Sequence, residues 1–287
     1  MSIRPQPLAI SRSTGASGSS GSRIGVLAAI LASGLALTPA HAGRTCEAPT
    51  DVVHLAGATP TLRAAFADRQ PLRIVAFGSS STAGAGASRR EHAYPARLES
   101  TLRERFPGHS VTVLNKGSGG ELSTDMLARL ERDVIAERPT LVVWQTGVND
   151  AIRNVPVIDF ARTVEIGIAR IRAAGSDVVL IDQQLYPLSG SVPGYATYIE
   201  TMRQIGARLD VPVFRRHRLM AHLVASAQYR VEDLLAADRF HQNDVSYACL
   251  AEVLADAISR LISHPRAAAA GNLRSERAPT HALSVPQ

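Results

Sequence analysis

A serine-rich turn and a distant Asp-x-x-His pair are the residues of this chain best suited to chemistry. The turn is Gly78-Ser-Ser-Ser-Thr-Ala-Gly84, and it follows directly on the apolar run 74–77. A serine hydroxyl is a weak nucleophile until a base within hydrogen-bond reach takes its proton. Ser80 is the candidate nucleophile, with Ser79 and Ser81 its rivals by residue type. Of the nine histidines, His241 has a carboxylate, Asp238, three residues before it. On a turn or a helical start, side chains at that spacing face each other. Asp238 can then hold one ring nitrogen while the other faces the serine. Attack on an ester carbonyl creates an oxyanion that needs preorganised donors, and two further loops offer them. Asn115-Lys-Gly-Ser-Gly-Gly120 brings backbone N–H groups with no side chain in the way. Thr146-Gly-Val-Asn-Asp150 brings the Asn149 amide, which could otherwise cap the following helix. The Ser80 N–H is a third donor. Gln183, Gln184 and Tyr186 follow a later apolar run and are expected to line the crevice and bind a polar substrate.

These loops need elements to carry them. Short apolar runs at 73–77, 111–114, 141–144, 178–181 and 211–214 read as buried strands. Between them lie stripes of helical period: Leu98, Leu102 and Phe106 behind Pro95; Leu122, Met126, Leu130 and Val134; Phe160, Val164, Ile168 and Ile171; Tyr198, Met202, Ile205 and Leu209. A last stripe runs from Leu250 to Leu261 and is stopped by Pro265. A further short helix is expected over 55–68. Strands alternating with helices at this spacing predict right-handed crossovers and a parallel sheet, with ligands at the carboxyl ends of its strands. Trp144 reads as core and not as a sugar-stacking platform. His217 and His222 carry no metal-site pattern.

In order, Gly78-Ser-Ser80-Ser-Thr-Ala-Gly84, Gly120, Gly147-Val-Asn149-Asp and Asp238-x-x-His241 resemble the four blocks of the SGNH, or GDSL-type, hydrolases. The resemblance spans residues 72–262. It implies a flavodoxin-like three-layer α/β/α sandwich with a five-stranded parallel sheet, and a serine esterase that needs no metal or other cofactor. It assigns Ser80 as nucleophile, His241 as base, Asp238 as its orienter, and Ser80, Gly120 and Asn149 as the oxyanion hole. Register against Gly78, Thr82 and Gly84 selects Ser80 over its neighbours. Two positions depart from the pattern: Ser79 stands where the family usually has aspartate, and Glu121 where aspartate is common.

Composition narrows the remaining classes. The net charge is +6, and Arg4, Arg12 and Arg23 in the first 23 residues account for three of those charges. The remaining +3 is mild, and no basic–aromatic run accompanies it, so nucleic-acid binding is not expected. Arg23, the apolar run 24–37 and the small-x-small end Ala40-His-Ala42 form the three parts of an export signal. The run is shorter than the about 20 residues of a membrane span. Cleavage would leave Gly43 as the first residue, so the expected organisation is a signal over 1–42, one hydrolase domain over 43–265 and a disordered tail over 266–287. The expected location is periplasmic or secreted, with no membrane span after cleavage. In an exported chain the two cysteines, Cys46 and Cys249, suggest a disulfide; two buried thiols are the alternative. The reading that emerges is an exported esterase removing short acyl groups from a carbohydrate or small-molecule ester through an acyl-Ser80 intermediate. Acyl transfer to envelope polysaccharide, lysophospholipase or thioesterase action, and a non-catalytic glycan-binding module are the competing readings.

Overall fold

A computed structural model describes residues 46–263. Its centre is a five-stranded, fully parallel sheet of order β2-β1-β3-β4-β5. The strands are β1 (Leu72–Gly78), β2 (Val111–Gly117), β3 (Leu141–Gln145), β4 (Asp177–Ile181) and β5 (Val213–Phe214). Among the described residues ten α-helices accompany them: α1 (Thr50–Val53), α2 (Pro60–Ala67), α3 (Ser80–Ala83), α4 (Tyr94–Arg105), α5 (Ser123–Asp133), α6 (Val148–Ile152), α7 (Val157–Ala173), α8 (Tyr195–Leu209), α9 (Arg216–Ala225) and α10 (Asp244–Ser263). Helices α1, α2 and α4 pack on α10, while α5 packs on α7 and α7 on α8. The result is the expected three-layer α/β fold. Strands β1, β3 and β4 are buried on both faces, so their sequences are continuous apolar runs and not alternating ones. Trp144 is wholly buried in this core, its indole N–H directed to the Met126 sulfur.

Two expectations are corrected. The helix expected over 55–68 is shorter: α2 begins only at Pro60, a residue that starts helices readily because it lacks an N–H, and α1 is a separate turn that ends at Val53, before the expected range. Strand β5 is shorter than the apolar run 211–214. Pro212 cannot donate to a ladder, and the Val211 N–H is spent on the Gly206 carbonyl at the end of α8. The expected signal at 1–42, the tail at 266–287 and the stop at Pro265 lie outside the described residues. Among the described residues no helix is long and apolar enough to cross a membrane.

Cys46 and Cys249 form a disulfide that joins the start of the described chain to α10 across 203 residues. Beyond it, the N-terminal segment is held by α1 on α9 and α10 and by Asp51, which pairs with Arg215 and Arg218. The chain-entropy account gives a bridge closing so long a loop about 5 kcal/mol as an upper figure. Cys46→Ser/Cys249→Ser is therefore expected to unfold at least several degrees below the parent in thermal scans. Adding reductant should lower the midpoint of the parent and leave that of the variant unmoved.

Candidate active site

The strand order doubles back between β1 and β3, the switch point where an open parallel sheet forms its crevice. Register brings the neighbouring loops level: Gly78 lies beside Gly117, and Phe77 beside Trp144. Ser80 opens α3, a single turn held by Thr82 and Ala83 amides on the Ser79 carbonyl. As the first helical residue it has an N–H without an intrahelical acceptor. The turn sits directly on the end of β2. A Cβ at Gly117 would lie 2.0 Å from the Ala83 nitrogen, so that position accepts only glycine.

The three serines have different surroundings. Ser79 is buried, and both its N–H and its hydroxyl donate to Gln145 Oε1 at 3.1 Å. Ser81 is buried, with its hydroxyl donating to Gln184 Oε1 at 3.4 Å. Ser80 alone of the three is partly exposed, and its Oγ lies 2.9 Å from His241 Nε2. On the far side of the ring, His241 Nδ1 lies 2.6 Å from Asp238 Oδ2.

The segment bearing this pair is tied down at both ends. An antiparallel bridge joins Leu235 to Gln242, and Arg239 takes the left-handed conformation between them. Asp238 Oδ1 accepts the amides of Phe240 and His241 at 3.0 and 2.9 Å, an aspartate turn that fixes its carboxylate under the ring. Asn243 then caps α10, its Oδ1 accepting the Val245 and Ser246 amides. The Asp238 carboxyl is pushed up somewhat by desolvation. The bonds from the His241 ring and the two amides, with the charge of the imidazole, outweigh this and hold it below the usual carboxylate range.

The other two loops grip each other. Asn149 does not cap α6; its Nδ2 donates to the Glu121 carbonyl at 2.8 Å, which leaves the second amide proton for another acceptor. Arg153 donates to the Gly120 carbonyl at 2.9 Å. Asp150, wholly buried, accepts the Ser123 amide at 3.1 Å and its hydroxyl at 2.6 Å, and so seats the start of α5. Desolvation pushes the Asp150 carboxyl up, against the Ser123 hydrogen bonds. Gly120 has φ of +76°, a conformation glycine adopts at no steric cost and in which its N–H has no side chain beside it.

Gln183 and Gln184 are 0% and 1% exposed, so neither amide lines the crevice as expected. Gln183 packs against Gly147 and Met202. Gln184 bridges two loops, accepting from Ser81 and donating to the Phe240 carbonyl at 3.3 Å. Both follow β4 closely enough to remain inside the sheet's end. Tyr186 is 5% exposed and packs edge-on to Phe240, whose ring meets the His241 imidazole 4.8 Å away. Sequence reasoning missed Gln145, Gln184 and Asp150 as the groups that hold these loops. The trace of Gln145 in the sequence is a polar residue ending an apolar run, which does not say what it will bond.

A serine, an imidazole and a carboxylate in this relay can activate a hydroxyl for acyl transfer. Residues 45–264 match the model of the family described as non-GDSL lipase-like. The chain belongs to this family. The description suits the first block of this non-GDSL lipase-like chain, where Ser79 stands in the aspartate position of the GDSL pattern. The chain is 30% identical over 100 residues to an arylesterase of Vibrio mimicus, covering 35% of this chain and 49% of that protein. It is 38% identical over 61 residues to an acetylxylan esterase of Geobacillus stearothermophilus, covering 21% and 28%. These alignments span about half or less of the relatives' length. Among solved structures, a two-domain esterase active on acetylated mannans superposes with a TM-score of 0.63 at 20% identity, over 73% of this chain and 55% of that one. At that identity the likeness bears on the fold.

Proposed function

We propose that this protein is an exported serine esterase that removes short acyl groups, O-acetyl on carbohydrate foremost. The observation that carries the reading is the continuous contact Ser80 Oγ–His241 Nε2–His241 Nδ1–Asp238 Oδ2 at 2.9 and 2.6 Å. Ser80 Oγ attacks the ester carbonyl carbon as its proton passes to His241 Nε2. The tetrahedral oxyanion takes hydrogen bonds from the Ser80 and Gly120 amides and from the free Asn149 amide proton. Collapse expels the alcohol, which leaves with the proton held by His241, and an acyl-Ser80 ester remains. Water attacks that ester, gives its proton to His241, and the carboxylic acid departs as the serine recovers its hydrogen. Asp238 stays ionised and holds the ring in the tautomer that accepts at Nε2.

Support for an acetyl substrate comes from the acetylxylan esterase relative and no longer from the two buried glutamines. An acyl-length series of chromogenic esters is expected to peak at two to four carbons, and an optimum above eight would overturn the short-acyl reading. Acetate should be released from acetylated xylo-oligosaccharide without added acceptor; release that requires a sugar acceptor would make the enzyme a transferase instead. The disulfide supports passage to an oxidising compartment. The mature protein from the cell envelope or medium is expected to begin at Gly43.

Asn149→Ala is expected to lower kcat about 100-fold with KM within twofold, the loss of one oxyanion donor. Steady-state kinetics normalised by active-site titration measure it. A loss in KM alone would move Asn149 from transition-state stabilisation to substrate binding.

A further inference from the structure

The buried stripe of α5 is Ser123, Met126, Arg129 and Leu130. A helix docked for stability alone would carry an apolar residue at the third of these positions, because a buried cation is costly unless fully paired. Arg129 is paired on every side. Its Nε donates to Glu121 Oε2 at 2.8 Å, Nη1 to Asp133 at 3.1 Å, and Nη2 to the Gly78 carbonyl at 3.1 Å. Its guanidinium carbon lies 4.5 Å from the centre of the Phe77 ring.

The partners lie on two of the site's loops. Gly78 ends β1, two residues before Ser80. Glu121 follows Gly120, and its backbone carbonyl is the acceptor that holds the Asn149 amide. We propose that Arg129 is a positioning residue for the oxyanion hole, acting through Glu121 to set where the Asn149 amide points relative to the nucleophile turn. This rests on the esterase reading given above. The fork of the guanidinium is what the task requires, since one planar group must meet a carboxylate on one loop and a carbonyl on another at the same time; a lysine ammonium does not reproduce that geometry. Donors displaced by an ångström lose much of their effect on a transition state while ground-state binding changes little.

Arg129→Lys and Arg129→Met test this, each also made in the Asn149→Ala background and each normalised by fluorophosphonate titration of Ser80, so that unfolded protein does not enter the rates. The expected result is a fall in kcat of about tenfold with KM within twofold in the parent, and a fall of less than twofold where Asn149 is already gone. An equal loss in both backgrounds, no loss in kcat, or a loss confined to KM would overturn the inference. Glu121→Gln should fall in kcat in the same way as the Arg129 variants. The lysine variant keeps the charge that the two carboxylates need, so the test survives if the methionine variant fails to fold. The esterase reading is tested separately: if Ser80→Ala keeps its activity that reading fails, whereas a dead Ser80→Ala and a slow Asn149→Ala beside an undiminished Arg129→Lys would remove only the role given to Arg129.

Discussion

Ser80→Ala is expected to lower kcat for ester hydrolysis by about 10⁴-fold or more, and to abolish labelling by a fluorophosphonate. Nothing else in the turn can replace the lost nucleophile. The Ser79 hydroxyl is sealed against Gln145 and the Ser81 hydroxyl against Gln184, and both side chains are buried. Neither has the imidazole within reach that Ser80 has at 2.9 Å. Stability should change by no more than about 1 kcal/mol, the net worth of one hydrogen bond at a partly exposed group. Ser79→Ala makes the contrast. It should keep the labelling reaction and lose stability instead, because it removes a buried bond that shapes the turn. Retained labelling in Ser80→Ala would end the proposed mechanism.

Asp238→Asn is expected to lower kcat/KM by about 10³-fold. A carboxylate at Oδ2 accepts from Nδ1 and so keeps the lone pair on Nε2 towards Ser80. An asparagine can instead offer its amide N–H to Nδ1, which turns the protonated nitrogen to the serine and removes the base. The effect is set below the about 10⁴-fold seen where such an aspartate is buried, because the Asp238 side chain is 48% exposed and water shares its charge. The sign of the pH effect follows from the direction of the shift. A carboxyl held below its usual value stays ionised in the folded protein as the pH falls through the ordinary carboxylate range, while its contribution to stability, full above the ordinary value, declines between the two values and is gone below the depressed one. Asp238 should therefore add no limb to the kcat/KM profile between about pH 5 and 8. A loss of less than tenfold in Asp238→Asn would remove the aspartate from the mechanism.

The chemistry-bearing residues are legible in the sequence because each lies where a strong local pattern ends. Ser80 follows an apolar strand, Asn149 follows another, and Asp238 and His241 are three residues apart on a turn that their own side chains help to form. The strands themselves are legible for the same reason, except where proline cut β5 short and α2 began late. Gln183 and Gln184 misled. A polar residue just past a strand looks the same whether it faces a crevice or is sealed beneath it, and the difference lies in the depth at which the neighbouring loops close over it.

Local periodicity and turn chemistry thus suffice for the strand positions, the parallel α/β class and most of the longer helices, since these depend on residues within a few positions of one another; the three-layer arrangement is what the resemblance to the hydrolase family implies. The choice of Ser80 over Ser79 and Ser81 on physical grounds, the burial of the two glutamines, and the clasp of Gln145, Asp150 and Arg129 around the site come from contacts between segments as much as 161 residues apart in the chain. Such contacts follow from strand order and register, which decide which carbonyl or carboxylate each buried polar group meets on being removed from water, and no pattern local to one segment encodes that meeting.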